Sequence, residues 1–240
     1  MAARLPGVTD PADPERDAAL RTFLFDQLTP RRLGRLSAAA GGRTRRLTVL
    51  LEGLRQSHNY SAVLRSCDAF GVQDVHLVDP DAQFEINADV SLGSDKWLSM
   101  HSHASLDGAI ATLRSGGYRI VATSPHPPST PLPDLDVSQP LVLVFGNELR
   151  GLSDAALALA DERVAIPMHG LVESFNVSVA AALCLYDLTR RLRQAGRWQL
   201  DPDAREALLM AWVRRSITAC GRVEEEFLAR WDEERSAAGA

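Results

Sequence analysis

The sequence predicts an α/β fold, a mostly parallel sheet with helices on both faces, and three observations lead there. Short apolar runs recur through the middle of the chain: LTVLLEG from Leu47, DVHLVDP from Asp74, YRIVATS from Tyr118, LVLVFG from Leu141 and RVAIPM from Arg163. Segments of helical character alternate with them, and several of the runs close on Gly or Pro. A strand covered on both faces needs apolar side chains on both, so it reads as an unbroken run and not as a polar/apolar alternation. With 240 residues the chain can fill one large core, since single cores stop growing only near about 250 to 300 residues.

The elements follow in order. Residues 1 to 16 hold three prolines and mixed charge and read as a loosely attached lead. A helix is expected from Asp17 to Gln27, and Thr29-Pro30 then supplies an N-cap and a first-turn proline for a second, ending near Gly41-Gly42. The main body begins with the strand at Leu47, followed by a helix through NYSAVLRSCDAFG, the strands DVHLVDP and WLSMHSH, and the helix LDGAIATLRSGG. The strands YRIVATS and LVLVFG come next, then the helix SDAALALAD, the strand RVAIPM and an Ala-rich helix ending near Gly196. PHPPSTPLPDLD, residues 125 to 136, is a Pro-rich loop, and two amphipathic helices are expected from Pro202 to about Ala219 and from Val223 to about Arg235. The boundaries are a helical N-terminal extension with a basic segment over 1–45, the α/β domain over 46–197 and a helical C-terminal extension over 198–240.

Composition narrows the function. Hydrophobic residues make up 45% and charged residues 24%, as in an ordinary globular protein. No apolar run approaches the roughly 18 residues of a membrane span and the N-terminus has no apolar signal core, so the protein is expected in the cytoplasm. Cys67, Cys184 and Cys220 are odd in number, far apart and without a CxxC pair, which speaks for neither disulfides nor zinc. His101 and His103 flank Ser102 with no partner cluster in the sequence, and no metal is expected there.

The net charge of −5 disfavours indiscriminate coating of nucleic acid, yet the charge is uneven. RRLGRLSAAAGGRTRR, residues 31 to 46, holds six arginines and no acid, and RRLRQAGR closes the Ala-rich helix. Only Lys96 among 26 basic residues is a lysine, so part of the bias carries no functional message. Arg31, Arg32, Arg35, Arg43, Arg45, Arg46 and Arg191 are the candidates for phosphate contacts, arginine offering a planar fork to phosphate oxygens.

Ligands of open α/β sheets bind beyond the carboxyl ends of the strands. GxG and GxxxxGK[ST] are both absent, so a nucleoside cofactor would be held without a glycine-rich phosphate loop. Three stretches stand out. In SHNYSAVLRSCDAFG, helical spacing places Tyr60, Val63, Leu64, Cys67 and Phe70 on one face and Arg65 nearly opposite, with Asn59 in the first turn. That leaves Arg65 either a solvated helix residue or an anion ligand. In LVLVFGNELRGLSD a buried strand meets Gly146, where backbone can approach a ligand closely, with Glu148 just beyond and Ser153 placed to cap the next helix. In IPMHGLVESFNVSVAAALCLYD, Ser174, Asn176 and Ser178 precede or open a helix apolar on nearly every side. One cap suffices for a helix start, and such a helix must lie deep in the core or pack against a second subunit.

Together, in this order and spacing, these stretches resemble the three motifs of the SPOUT methyltransferases, in particular the SpoU branch of RNA 2′-O-methyltransferases, over about residues 47 to 196. Asn59 and Arg65 match the first motif; Gly146, Glu148 and Gly151 the second; Pro167, Gly170, Ser174, Asn176, Ser178 and Ala180 the third. Within the branch the likeness is strongest to enzymes that methylate a guanosine ribose at position 18, in the tRNA D-loop. The resemblance implies a C-terminal trefoil knot, a homodimer packed through the Ala-rich helix, S-adenosyl-L-methionine as cofactor and tRNA as partner, with neither membrane nor metal involved. It implies that groups around Thr123, Gly146, Ile166, Met168 and Phe175 hold the cofactor, Phe175 departing from the leucine frequent in relatives. Ser174 and Asn176 would shape the transfer site, Glu148 would orient the loop or Asn176, and Asn59 would act next to the partner's site. Arg65 would act as base or as phosphate anchor, the second being the better fit for a side chain that stays protonated. Two other readings remain at this point: 2′-O-methylation of another tRNA position or of ribosomal RNA, and RNA binding without catalysis.

Overall fold

The computed structural model describes residues 13–54, 57–78, 93–147, 150–196 and 198–238. They divide into two compact units, one running Arg43–Leu200 and the other made of the helices before and after it. The two terminal extensions expected from sequence therefore form one unit, and residues 43–45 and 198–200 belong to the central body.

In the helical unit, α1 (Pro14–Asp26) starts where the Asp13 side chain accepts the N–H of Arg16, and α2 (Pro30–Gly41) where Thr29 accepts that of Arg32. Residues 14 to 16 are thus helical and not a loose lead, and residues 1–12 lie outside the described residues. After the central unit come α7 (Pro202–Ser216), capped by Asp201, and α8 (Cys220–Ala238). Phe23 of α1 stacks on Phe227 of α8, ring centroids 4.8 Å apart, and Arg21 of α1 pairs with Glu206 of α7 at 2.8 Å.

The central unit is built on β1 (Leu47–Glu52), β2 (Asp74–Val78), β3 (Ser99–His103), β4 (Arg119–Thr123), β5 (Thr130–Pro131), β6 (Leu141–Phe145) and β7 (Glu162–Ala165). Their order in the sheet is β3-β2-β1-β6-β4-β7-β5, and each adjacent pair is parallel. β5 lies inside the stretch read from sequence as a Pro-rich loop; a two-residue strand ending in proline gives no period to detect, and only its pairing with β7 defines it. Between the strands run α3 (Ser57–Phe70), α4 (Leu106–Ser115) and α5 (Asp154–Leu159), and α6 (Val177–Gln194) follows β7.

Burial explains the apolar runs. Every residue of β6 and all but the last of β1 and β2 are buried. On one face, Val49, Leu51, Leu143 and Phe145 pack with Tyr60, Val63, Leu64 and Cys67 of α3 and with Ala181, Leu185, Leu188 and Leu192 of α6. On the other, Leu50, Ile120, Val142 and Val144 meet Ala109, Ile110 and Leu113 of α4. Each fully buried leucine contributes about 1.5 to 3 kcal/mol through apolar burial, so α6, with three, is held firmly along one side. No helix of the described residues is long and apolar enough to cross a membrane.

Candidate active site

The strand order reverses between β1 and β6, and the carboxyl ends of β4, β6 and β7 open on one side of that point. There a cavity of about 640 Å³ is lined by Thr123, Gly146, Ile166, Met168 and Phe175 and by the segment leading into α6. Its size falls in the range of about 300 to 1,000 Å³ usual for small-molecule sites. Ser174 and Asn176 also line it. The structure thus brings together two of the three sequence stretches around one space.

The wall from β6 is unusually tight. Asn147 and Gly151 exchange two backbone hydrogen bonds, Asn147 N–H to Gly151 O at 2.9 Å and Gly151 N–H to Asn147 O at 2.8 Å. Gly151 makes this closure with φ +69°, in the left-handed region that glycine enters at no steric cost. Gly146 lies directly beneath, and a Cβ added there would come within 2.3 Å of the Gly151 backbone. Glu148 lies outside the described residues. Ser153 caps α5 as the sequence predicts, its Oγ accepting the Ala156 N–H at 3.1 Å.

The start of α6 shows what its polar residues do. Asn176 is the N-cap: its Oδ1 accepts the Ser178 N–H at 2.9 Å and the Ser178 hydroxyl at 2.6 Å. Its Nδ2 donates to Oδ1 of Asn59, buried in the first turn of α3, at 3.1 Å. Asn176 therefore ties the first motif to the third, while Ser174 takes no part in the cap and is exposed at the cavity. Arg65 projects from the exposed side of α3, opposite the buried stripe, and has no hydrogen-bond or ion-pair partner among the described residues. It does not line the cavity of its own chain.

Sequence reasoning missed Ser124, Pro125, His126, Arg150, Asp154 and Glu173, which also line the cavity. The first three follow β4 directly, so its carboxyl end was the available signal. Cys184 lines the cavity too, but burial pushes its thiol up to about 12, which leaves it uncharged and unreactive at neutral pH.

The basic segment is divided between the two units. Arg31 and Arg35 are exposed on α2 and Arg32 is half-buried, all in the helical unit. Arg43 is buried in the central unit, paired with Asp68 and donating to the Val72 carbonyl, so its charge is spent internally. Arg45 binds Asp74 at 2.9 Å, Arg46 donates to Ser138 O, and Arg191 donates to the carbonyls of Leu132 and Leu135 while pairing with Asp187. These four arginines are engaged by acceptors of the central unit.

His101 and His103 are joined by a third imidazole that the sequence reading did not connect with them. Register sets His76 of β2 opposite His101 of β3. His76 Nδ1 lies 3.0 Å from His103 Nε2, and His101 Nε2 lies 3.1 Å from Asp74 Oδ1. Burial, with the neighbouring rings, lowers His76 to about 4. Burial opposes ionisation of Asp74, but its hydrogen bond from His101 and the Arg45 charge outweigh it and hold the carboxyl below its ordinary range. Among the described residues no group of three or more His, Cys, Asp or Glu side chains is placed to hold a metal ion.

Comparison with known proteins gives three findings. Residues 46–186 match the model of the SpoU rRNA Methylase family. A tRNA (guanosine(18)-2′-O)-methyltransferase of Thermus thermophilus is 40% identical over 172 residues, 70% of this chain and 89% of that one. Among solved structures, the Aquifex aeolicus TrmH/SpoU tRNA modifying enzyme superposes with a TM-score of 0.72 at 31% identity, covering 78% of this chain and 98% of that chain; the Streptomyces viridochromogenes SpoU methyltransferase AviRb, solved in complex with AdoMet, gives 0.57 at 29%, covering 63% and 62%.

Proposed function

The chain belongs to the SpoU rRNA methylase family, and from that premise we propose that it transfers a methyl group from S-adenosylmethionine to the ribose 2′-hydroxyl of guanosine 18 in the D-loop of tRNA. The observation that carries the reading is the cavity at the ends of β4, β6 and β7, framed by the second and third motifs and tied to the first through the Asn59–Asn176 hydrogen bond. The guanosine-18 assignment rests on the relatives that share most of the chain, including the Thermus thermophilus enzyme.

The residues present suit the cofactor. Leu152, Ile166, Val177 and Ala180 offer apolar surface for an adenine ring, and Asp154 and Glu173 bring two acidic residues to the lining of a site for a sulfonium cation. Gly146, with no Cβ, lets the β6 backbone form the floor. When bound, S-adenosylmethionine supplies an electrophilic methyl group. The chain must align the ribose hydroxyl in line with that methyl and provide for the proton the hydroxyl loses. Ser174, exposed at the rim, and Asn176, fixed by its three hydrogen bonds, shape the place where the ribose would sit. Arg65 anchors a substrate phosphate and stabilises developing charge; as a side chain that stays protonated, it is a poor proton acceptor.

Arg65 lies outside its own chain's cavity, so this role requires a second copy of the chain. The face of α6 turned away from the core supports a homodimer: Val179, Leu183 and Tyr186 are exposed there, with Leu171, Val172 and Phe175 in the segment before it. The trefoil knot is part of the same reading. It rests on β6 standing between β1 and β4 and on the chain returning after β7 to pack α6 against α3. For tRNA, Arg31 and Arg35, exposed on α2, are the phosphate contacts we retain, with Arg43, Arg45, Arg46 and Arg191 engaged within the central unit.

The test is methyl transfer from labelled S-adenosylmethionine to an unmodified tRNA transcript, mapped by alkaline cleavage. One resistant linkage after guanosine 18 is expected. Resistance elsewhere would move the target, and no transfer to tRNA or ribosomal RNA would sink the enzymatic reading.

A further inference from the structure

Gly146, Asn147, Arg150, Gly151 and Leu152 form one wall of the cavity, and this wall is fastened to the end of β1 at two points. The first is Asn147, whose Nδ2 donates to the carbonyl of Gly53 at 2.8 Å. The second is Glu52, the last residue of β1. Its Oε2 accepts the Ser153 N–H at 3.0 Å and its Oε1 accepts the Ser153 hydroxyl at 2.6 Å. With its proton given to Glu52, the Ser153 oxygen is free to accept the Ala156 N–H and cap α5. Glu52 itself does not line the cavity.

Little separates this carboxylate from the cavity. Ser153 is bonded to Leu152, a lining residue, and Leu152 to Gly151, whose backbone lies against Gly146 with no room for a methyl group. A shift of Ser153 relative to β1 must therefore pass into the wall, because the Gly146–Gly151 contact cannot absorb it. A carboxylate is the group this junction needs. Ser153 presents two donors, and an ionised carboxylate is acceptor-only with an oxygen for each, whereas an amide would turn an NH2 group toward one of them.

We propose that Glu52 is a positioning residue for the methyl-donor cofactor: by holding Ser153 through both donors it sets the cavity wall formed by Gly151 and Leu152, and so the affinity for S-adenosylmethionine, without touching it. This rests on the cavity being the cofactor site. In the full-length protein, cofactor binding is measured by calorimetry and steady-state kinetics with a tRNA transcript. Glu52→Gln is expected to raise Kd and KM for S-adenosylmethionine about tenfold, with kcat at saturating cofactor within about twofold. Ser153→Asp keeps an acceptor for the Ala156 N–H but sets a second carboxylate against Glu52, and should raise KM similarly. Combining Glu52→Gln with Ser153→Asp restores a donor–acceptor pair and should bring KM back toward wild type. A structural role alone would lower thermal stability or kcat without this reversal in KM. Unchanged Kd and KM in folded Glu52→Gln, or in Ser153→Asp should Glu52→Gln not fold, overturn the proposal. Wild-type protein that does not bind S-adenosylmethionine would instead overturn the assignment of the cavity.

Discussion

His76 makes the stability of the central unit depend on pH between about 6.5 and 4, a window that overlaps the titration of ordinary carboxylates only at its lower end. Its imidazole is 8% exposed and sits against His101 and His103, and burial followed by those two neighbours lowers it from 6.5 to about 4. The unfolded chain takes up this proton near pH 6.5, the folded chain only near 4. Between the two the unfolded state binds more protons, so the contribution is complete above pH 6.5 and is lost as pH falls toward 4. At about 1.36 kcal/mol per pKa unit the full loss is about 3 kcal/mol, of which about 1 kcal/mol has gone between pH 7.5 and 5.5. Geometry agrees: across the 3.0 Å contact between His76 and His103 one nitrogen must donate and the other accept, which two doubly protonated rings cannot do. The assay is urea unfolding at a series of pH values for wild type and His76→Gln, with hydrogen exchange of peptides covering β2 and β3 to locate the change. Wild type should lose about 1 kcal/mol more than the variant between pH 7.5 and 5.5. Parallel pH profiles for the two proteins would refute the argument.

Replacement of Arg65 separates its two possible roles: Arg65→Ala should abolish turnover, and Arg65→Lys should keep substantial activity, since an ammonium anchors phosphate; a lysine variant as inactive as the alanine one would count against anchoring. Gly146→Ala must push its Cβ off the Gly151 backbone, 2.3 Å away, and should weaken cofactor binding more than tenfold and cost about 1 to 3 kcal/mol of stability, read by calorimetry and urea unfolding. Leu183→Glu combined with Tyr186→Glu places charge on the exposed side of α6 and should yield monomers by sedimentation that bind S-adenosylmethionine but no longer turn over. An active monomer would show that Arg65 does not need a partner copy.

Much of the fold was legible because a strand buried on two faces is largely apolar: β6 is so throughout, and β1, β2 and β4 each keep an apolar majority between polar residues. Helix starts were legible for a related reason: Thr29 and Ser153 cap the helices they precede because a helix start leaves N–H groups that only a nearby oxygen can satisfy. What stayed hidden was set by contacts between distant residues. β5 has two residues and exists through its pairing to β7. Helices from opposite ends of the chain join in one unit through contacts such as Phe23 on Phe227, which no local pattern encodes. Six arginines without an acid marked residues 31 to 46 for phosphate contacts, but Asp68 and Asp74, which bind Arg43 and Arg45, lie some 25 to 29 residues further along.

The site shows the same division in sharper form. Spacing alone marked Asn176 as one of three polar residues crowding a helix start where one cap would serve. The structure gives it two tasks at once, since the oxygen of its amide caps α6 and the nitrogen reaches Asn59, 117 residues earlier. An ionised aspartate could not do both, because capping uses an acceptor and the bond to Asn59 Oδ1 requires a donor, which a carboxylate lacks. A donor beside the capping acceptor is therefore demanded by the join between α3 and α6, a demand that exists only once the chain has folded back to bring them together. The same reasoning applies to Glu52, unremarkable at the end of an apolar strand until Ser153, 101 residues later, brings it two donors.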